Sequence, residues 1–188
     1  MTVYLDNRAR DLIAAEARRW PRRESGGALF GFHDADDLVV ACAYGPGPRA
    51  KHRRATFEPH PATTALLMDA VHNHSEARYR YLGSWHSHPG GLPRPSGPDI
   101  QTTERVASEP HVLLPDPLVL IQATQPGPKG VTIAELRAWH WEPRQTWLMP
   151  EPVETICLGE RFCPHVPVPA GWHRKPQVLS PEQSSLSP

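Results

Sequence analysis

The chain has 188 residues, a length that fits a single domain with a hydrophobic core. Its 20 Lys and Arg residues balance its 20 Asp and Glu residues, which argues against the basic excess that nucleic-acid and anionic-membrane binders depend on. Proline is the outlier, at 23 of 188 residues, or about 12% against a usual ~5%. We expect the extra proline in loops and in one tail.

The cysteine content and the lack of long apolar runs indicate the compartment. Cys42, Cys157 and Cys163 cannot all pair within one molecule and form no CxxC motif, so a reducing environment fits best. The N-terminal residues have no apolar signal-peptide segment, and no run approaches the ~18 apolar residues of a membrane helix. The sequence predicts a soluble cytoplasmic protein with neither nucleic acid nor membrane as a partner.

Hydrophobic periodicity predicts alternating helices and strands over the first 142 residues. In chain order these are a helix over 6–20 capped by Asp6 or Asn7, a hairpin of strands over 26–31 and 38–44, a short extended segment over 56–58, a helix over 62–76, a strand over 78–88, a helix over 96–108, and strands over 118–124 and 131–141. This order predicts an α/β (α+β) fold with a mixed sheet.

Periodicity disappears from Pro143 onward, where proline recurs. We therefore expect a domain over 1–142, a proline-rich extension over 143–169, and a disordered tail over 170–188. Two cysteines and a histidine in this region do not have the spacing of a known zinc finger, so no second metal is predicted there.

A motif of two histidines and an aspartate carries the chemistry. His86 and His88 are two residues apart, so on a strand both side chains lie on one face, and Pro89 ends that strand. Asp99 follows in the first turn of a helix, three residues after Ser96. Two imidazoles and one carboxylate are the ligand count of a catalytic zinc, whose fourth position is left to water. Such a site also needs a proton shuttle.

Each half of this motif has a simpler interpretation when it is taken alone. Two histidines beside a turn are most often ordinary surface or core residues, and a serine followed three residues later by an aspartate is a helix capping box. The combination is more specific, because a capping aspartate does not require two histidines able to converge on it.

The segments HSHP at 86–89 and GGLPRPSGPD at 90–99 resemble the signature of the JAMM, or MPN-plus, zinc metalloproteases. The segment ESGGALFG at 24–31 resembles the same family's first core strand with its glutamate. The resemblance covers residues 3–142 and favours the compact prokaryotic type. It implies a cytidine-deaminase-like three-layer sandwich in which helices flank a mixed sheet.

The resemblance also implies a role for each site residue. His86, His88 and Asp99 would bind one Zn²⁺ per chain, Glu24 would shuttle the proton, and Ser96 would donate a hydrogen bond to the oxyanion. The basic loop over 49–54 lies where family members contact a ubiquitin-like partner, although it can equally be a solvated charged loop.

Three functions remain open at this level. The first is a zinc isopeptidase or peptidase that cleaves after the C-terminal glycine of a ubiquitin-like protein, for deconjugation or precursor processing, in a bacterial conjugation or antiphage system. The second is release of cysteine from the C-terminal tail of a sulfur-carrier protein. The third, a non-catalytic MPN scaffold, is disfavoured because scaffold members lose the ligands that this sequence keeps.

Overall fold

The structure, a computed structural model, describes residues 1–127, 130–142 and 151–158. The helices in these ranges are α1 (Asn7–Arg19), α2 (Pro61–His74) and α3 (Gly97–Ser108). The strands are β1 (Thr2–Asp6), β2 (Gly26–Asp34), β3 (Asp37–Ala43), β4 (Lys51–His52), β5 (Phe57–Glu58), β6 (Arg80–Pro89), β7 (Leu118–Gly127), β8 (Gly130–His140) and β9 (Glu151–Leu158). None of the described helices is long and apolar enough to cross a membrane.

The main sheet is mixed and lies between helices, which confirms the predicted fold class. Its order is β1-β3-β2-β6-β7-β8-β9, in which β1 and β3 pair parallel, as do β6 and β7. Successive residues of β2 face opposite sides, because side chains alternate along a strand. Leu29 packs in the cluster that contains Ile13 of α1, and Phe30 packs in the cluster that contains Val71 of α2. The two helices thus cover the two faces of the sheet.

Local signals place the ends of α1 and α2 as expected. The Asp6 carboxylate accepts a hydrogen bond from the backbone N–H of Arg8 at 2.8 Å, as a helix N-cap does. Pro61 stands at the start of α2, where its missing N–H costs nothing. Helix α1 ends at Arg19, before Trp20 and Pro21.

Three strands were not expected from the sequence. Strand β1 pairs parallel with β3, and β4 forms a separate two-stranded sheet with β5 inside the basic loop. Strand β9 lies in the region where no regular element was predicted; it pairs parallel with β1 and antiparallel with β8, so that the order of the main sheet closes on itself. Strands β1 and β9 pair with each other across most of the length of the chain, which local periodicity cannot reveal. Strand β4 has only two residues, too few for an alternation pattern. The predicted disordered tail lies outside the described residues.

The pairing of β9 gives a prediction about truncation. A chain ending at 142 loses β9 and leaves β1 and β8 with unpaired edges. We expect it to melt about 5 °C or more below the full chain, since a loss of ~1 kcal/mol lowers the Tm of a domain of this size by roughly 2–4 °C. A chain ending at 170 keeps β9 and is the matched control, with an expected Tm equal to that of the full chain. Equal melting of both truncated chains, measured by calorimetry, would contradict the prediction.

Candidate metal centre

Strand β6 carries both candidate histidine ligands to one end of the sheet. It lies between β2 and β7, and its register pairs His86 with Gly26 on one side and with Ile121 on the other. The buried indole of Trp85 donates a hydrogen bond to the carbonyl of Tyr44 at 2.9 Å, which ties β6 to the end of β3 in the same sheet. His86 is buried and His88 is half-buried, with Pro89 ending the strand.

Helix α3 presents the third candidate ligand from its first turn. The Asp99 carboxylate accepts hydrogen bonds from the backbone N–H of Ser96 at 2.7 Å and from the Ser96 hydroxyl at 2.5 Å. Together with the bond from the Asp99 N–H to the Ser96 oxygen, these contacts form a complete capping box. The Asp99 carboxylate therefore takes part in the cap of α3 and is also the candidate ligand.

The three side chains converge on one point. One ligand atom from each of His86, His88 and Asp99 lies within 4.8 Å of the others. Each histidine Nε2 is 3.4 Å from an oxygen of Asp99, and the two Nε2 atoms are 3.0 Å apart. Two imidazole nitrogens and a carboxylate oxygen at such distances suit a divalent metal, because two lone pairs that face each other need a cation or a proton between them.

The orientation of the His88 ring is set by the loop that follows β6. Its Nδ1 donates to the carbonyl of Leu92 at 2.9 Å, since a carbonyl can only accept. In the neutral ring this leaves the lone pair on Nε2, which faces the cluster, as in metal-bound histidines whose other nitrogen is hydrogen-bonded. The loop is anchored in turn by the buried indole of Trp139, which donates to the carbonyl of Pro93 at 2.9 Å.

The electrostatics of the cluster favour an ionised aspartate. Burial raises the pKa of Asp99, but hydrogen bonds from His86 and His88 outweigh burial and hold this pKa well below its usual range. Burial lowers the pKa of His88. The hydrogen bonds that its protonated ring donates to Asp99 and to the Leu92 carbonyl outweigh burial, so that the pKa is raised. The cluster thus already holds one carboxylate charge for a cation.

Glu24 lies beside this cluster and not within it. Burial raises its pKa, and the charges of His86 and His88 counteract part of that effect. Its neighbour Ser25 is tied to β6, because the Ser25 N–H donates to the Ser87 hydroxyl at 3.0 Å and the Ser87 N–H donates to the Ser25 carbonyl at 2.7 Å. Ser87 stands between the two histidines, so these bonds fix the glutamate segment to the strand that carries them.

The two glycines after Ser25 allow this close approach. A Cβ at Gly26 would lie 2.6 Å from the carbonyl oxygen of Trp85, and a Cβ at Gly27 would lie 1.8 Å from that of Tyr44. Backbone cannot yield as a flexible side chain can, so a side chain at either position would push β2 away from its neighbours. Close packing of β2 against its neighbours therefore explains why glycine stands at both positions.

The structure brings together four of the five predicted site residues, and the fifth is adjacent. His86, His88 and Asp99 form the cluster, and Ser96 joins it through its hydrogen bond to Asp99. Glu24 is the adjacent residue, since the charges of the cluster affect its pKa. The Ser96 hydroxyl donates to the Asp99 carboxylate, so its predicted bond to an oxyanion stays a prediction.

Sequence reasoning missed several residues that support the site. The carbonyl of Leu92, the indole of Trp139 and the hydroxyl of Ser87 all orient ligands or the glutamate segment. One signal could have pointed to Ser87. It lies between the two histidines of HSHP, so on a strand its small hydroxyl side chain lies on the opposite face from theirs.

A family model matches most of the chain. It is Prok-JAB, prokaryotic homologs of the JAB domain, and it matches residues 6–141. The chain belongs to this family. The prediction of a JAMM-type relative is thereby confirmed, and the matched range contains Glu24 and the whole His86–Asp99 segment.

Relatives with named activities share this part of the chain. The CD-NTase/cGAS isopeptidase of Enterobacter hormaechei is 25% identical over 128 residues, covering 66% of this chain and 69% of that protein. The probable metalloprotease y4qB of Sinorhizobium fredii is 24% identical over 121 residues, covering 63% and 74%. The CD-NTase/cGAS isopeptidase of Escherichia coli is 32% identical over 93 residues, covering 48% and 60%. Both kinds of name describe hydrolases, which supports a hydrolase activity for this prokaryotic JAB protein.

The fold has a counterpart among solved structures. The solution structure of protein DSY2949 from Desulfitobacterium hafniense superimposes with a TM-score of 0.59 at 20% identity, covering 85% of this chain and 94% of that one. At this identity the likeness concerns the fold alone.

Proposed function

We propose that the protein is a zinc-dependent isopeptidase or peptidase that cleaves after the C-terminal glycine of a ubiquitin-like protein, in a bacterial conjugation or antiphage system. The observation that carries the proposal is the convergence of His86, His88 and Asp99 within 4.8 Å, with Glu24 beside them. The relatives named isopeptidase and metalloprotease support the reaction class.

The donor set fits zinc. Two histidines and one carboxylate make a three-ligand site of the kind used by catalytic zinc, and the Nδ1 bond of His88 to Leu92 supplies the outer support that such ligands have. Zinc bound there would polarise the scissile carbonyl and lower the pKa of a water to roughly 7.

The chain's own groups handle the protons. In the hydrolysis the amide C–N bond breaks, a C–O bond forms, and one proton moves from water to the leaving amine. Glu24 is placed to accept that proton on its carboxylate and to deliver it to the amine nitrogen. Its raised pKa makes the protonated intermediate state of this shuttle easier to reach.

Ser96 has a supporting role in the proposal. Its hydroxyl holds Asp99 in the ground state, and rotation of that hydroxyl would let it donate to the oxyanion that forms on the carbonyl. The half-exposed loop at 90–95 borders the ligands, with Leu92 exposed beside them. An extended C-terminal tail with small residues suits such an approach, because it brings backbone to the ligands without bulky side chains.

The test is metal-dependent cleavage of a defined substrate. A ubiquitin-like protein extended past its terminal glycine by a short peptide should be cleaved at that glycine, lose cleavage after chelation, and regain it with added zinc. Cleavage that survives complete removal of metal would refute the proposal, as would the absence of cleavage of both a linear fusion and a lysine-linked conjugate. Release of cysteine from a sulfur-carrier protein, with neither of those substrates cleaved, would favour the second function instead.

A further inference from the structure

The backbone of Glu24 is held on both sides by the β4–β5 hairpin, defined here as residues 51–58. The Glu24 N–H donates to the carbonyl of Arg53 at 2.7 Å. The Glu24 carbonyl accepts a hydrogen bond from Nδ1 of His52 at 3.0 Å. Both polar groups of the Glu24 backbone are thus satisfied by adjacent residues of one hairpin, 28 residues further along the chain in the case of His52.

The His52 ring is held in place by aromatic packing. It stacks on Trp20, directly after α1, with ring centroids 3.7 Å apart and planes inclined by 10°. Phe57 of β5 also packs near the ring, with centroids 5.4 Å apart and planes inclined by 51°. Such packing fixes the direction of the Nδ1–H bond, because the ring cannot turn without losing the stack.

The protonation state of the His52 ring is consistent with one hydrogen bond donated from Nδ1. Burial lowers the pKa of His52, and this effect exceeds the opposing effect of the hydrogen bond to Glu24. A neutral imidazole has one N–H, and here that N–H is on Nδ1 because its partner is a carbonyl. The ring nitrogen that donates is therefore committed to the Glu24 backbone.

The hairpin has an inner side that serves Glu24 and an outer side that faces solvent. On the inner side, Phe57 covers Gly26, where an added Cβ would lie 2.6 Å from the Phe57 ring. On the outer side, Lys51 and Glu58 form an exposed ion pair at 3.0 Å. A hairpin of two paired residues per strand is weak alone, so the contacts with Trp20, Gly26 and Glu24 are what attach it.

We propose that His52 is a positioning residue that fixes the Glu24 backbone, and so aims the Glu24 carboxylate at the metal cluster. The proposal rests on the proposed function for the role of Glu24. It assigns His52 no contact with substrate, metal or the reacting atoms. Loss of the Nδ1–H bond leaves the peptide after Glu24 held on its N–H side only, by the Ser87 hydroxyl, so that its carbonyl can shift. A small displacement of a proton shuttle lowers turnover more than it lowers substrate binding.

The test compares two substitutions that divide the functions of the ring. His52→Phe keeps an aromatic ring on Trp20 and removes the donor, whereas His52→Asn keeps a donor near the Nδ1 position and removes the stack. His74→Phe is the control, because His74 also donates from Nδ1 to a backbone carbonyl, that of Ala70 at 2.8 Å, but does so on the exposed surface of α2.

Four quantities are measured for each variant: kcat, KM, bound zinc, and the hydrogen-exchange rate by NMR of the Ser25 amide, which shares one peptide group with the Glu24 carbonyl. We expect His52→Phe to lower kcat roughly tenfold at unchanged KM and zinc content, and to accelerate exchange of the Ser25 amide. We expect His52→Asn to keep kcat within about threefold of wild type with a lower Tm. His74→Phe should match wild type in kcat, KM and zinc content.

Two results would overturn the proposal. One is wild-type kcat and unchanged Ser25 amide exchange in His52→Phe. The other is an equal loss of kcat in His52→Phe and His52→Asn, which would assign the effect to ring packing. The exchange rate needs no hydrolysis, so it tests the hold of His52 on Glu24 even in a protein that cleaves nothing. Absence of wild-type cleavage would therefore refute the proposed function separately from the positioning role.

Discussion

Glu24→Gln is expected to lower hydrolysis by roughly 10²–10⁴-fold, the usual contribution of general acid–base catalysis. The glutamine keeps the size of the side chain but cannot accept a proton. Because Glu24 lies beside the ligand cluster and not in it, zinc content and Tm should equal those of wild type. Uncleaved substrate should remain bound longer, since the binding surface is intact.

The experiment pairs turnover with elemental analysis. Glu104→Gln is a matched control, because Glu104 lies exposed on α3 and the substitution there should change neither quantity. Retained turnover in Glu24→Gln would refute the shuttle role. Loss of zinc together with turnover would make Glu24 a ligand or a support for the ligands.

Single replacement of a ligand is expected to empty the metal site. His88→Ala and Asp99→Ala each remove one of three donors that converge within 4.8 Å, and each ligand contributes directly to coordination. Purified variants should contain a small fraction of the wild-type zinc, and hydrolysis should fall at least as far as in Glu24→Gln.

The control for metal loss is a histidine elsewhere on the surface. His74→Ala removes an exposed imidazole of α2 and should leave one zinc per chain. Wild-type zinc content in both His88→Ala and Asp99→Ala would contradict the assignment of these ligands. Loss in only one of them would mean that the remaining donors are sufficient and that the three-ligand description is wrong.

The ligand cluster could be predicted because its geometry is local. The spacing of His86 and His88 follows from the two-residue period of a strand, and the spacing of Ser96 and Asp99 follows from the first turn of a helix. Only the seven residues 89–95 separate the two pairs, so the pairs had to be close in space. Short-range rules were enough.

The surroundings of Glu24 could not be predicted in the same way. Its bonds to the β4–β5 hairpin join segments 28 residues apart, and the hairpin's charged sequence is typical of a solvated loop. Strand β9 was missed for a related reason, because its proline-containing sequence lacks the alternation of a strand and its pairing with β1 and β8 defines it. Contacts between distant segments leave no periodic signal.

The capping box of α3 has a consequence for how the site acquires its metal. Folding of the first turn already fixes the Asp99 carboxylate through the Ser96 N–H and hydroxyl, and the Leu92 carbonyl already fixes the ring of His88. The conformational entropy of these side chains is therefore lost when the chain folds and not when the ion arrives. Such preorganisation would let more of the coordination free energy of a bound metal appear as affinity, since these side chains are already ordered before binding.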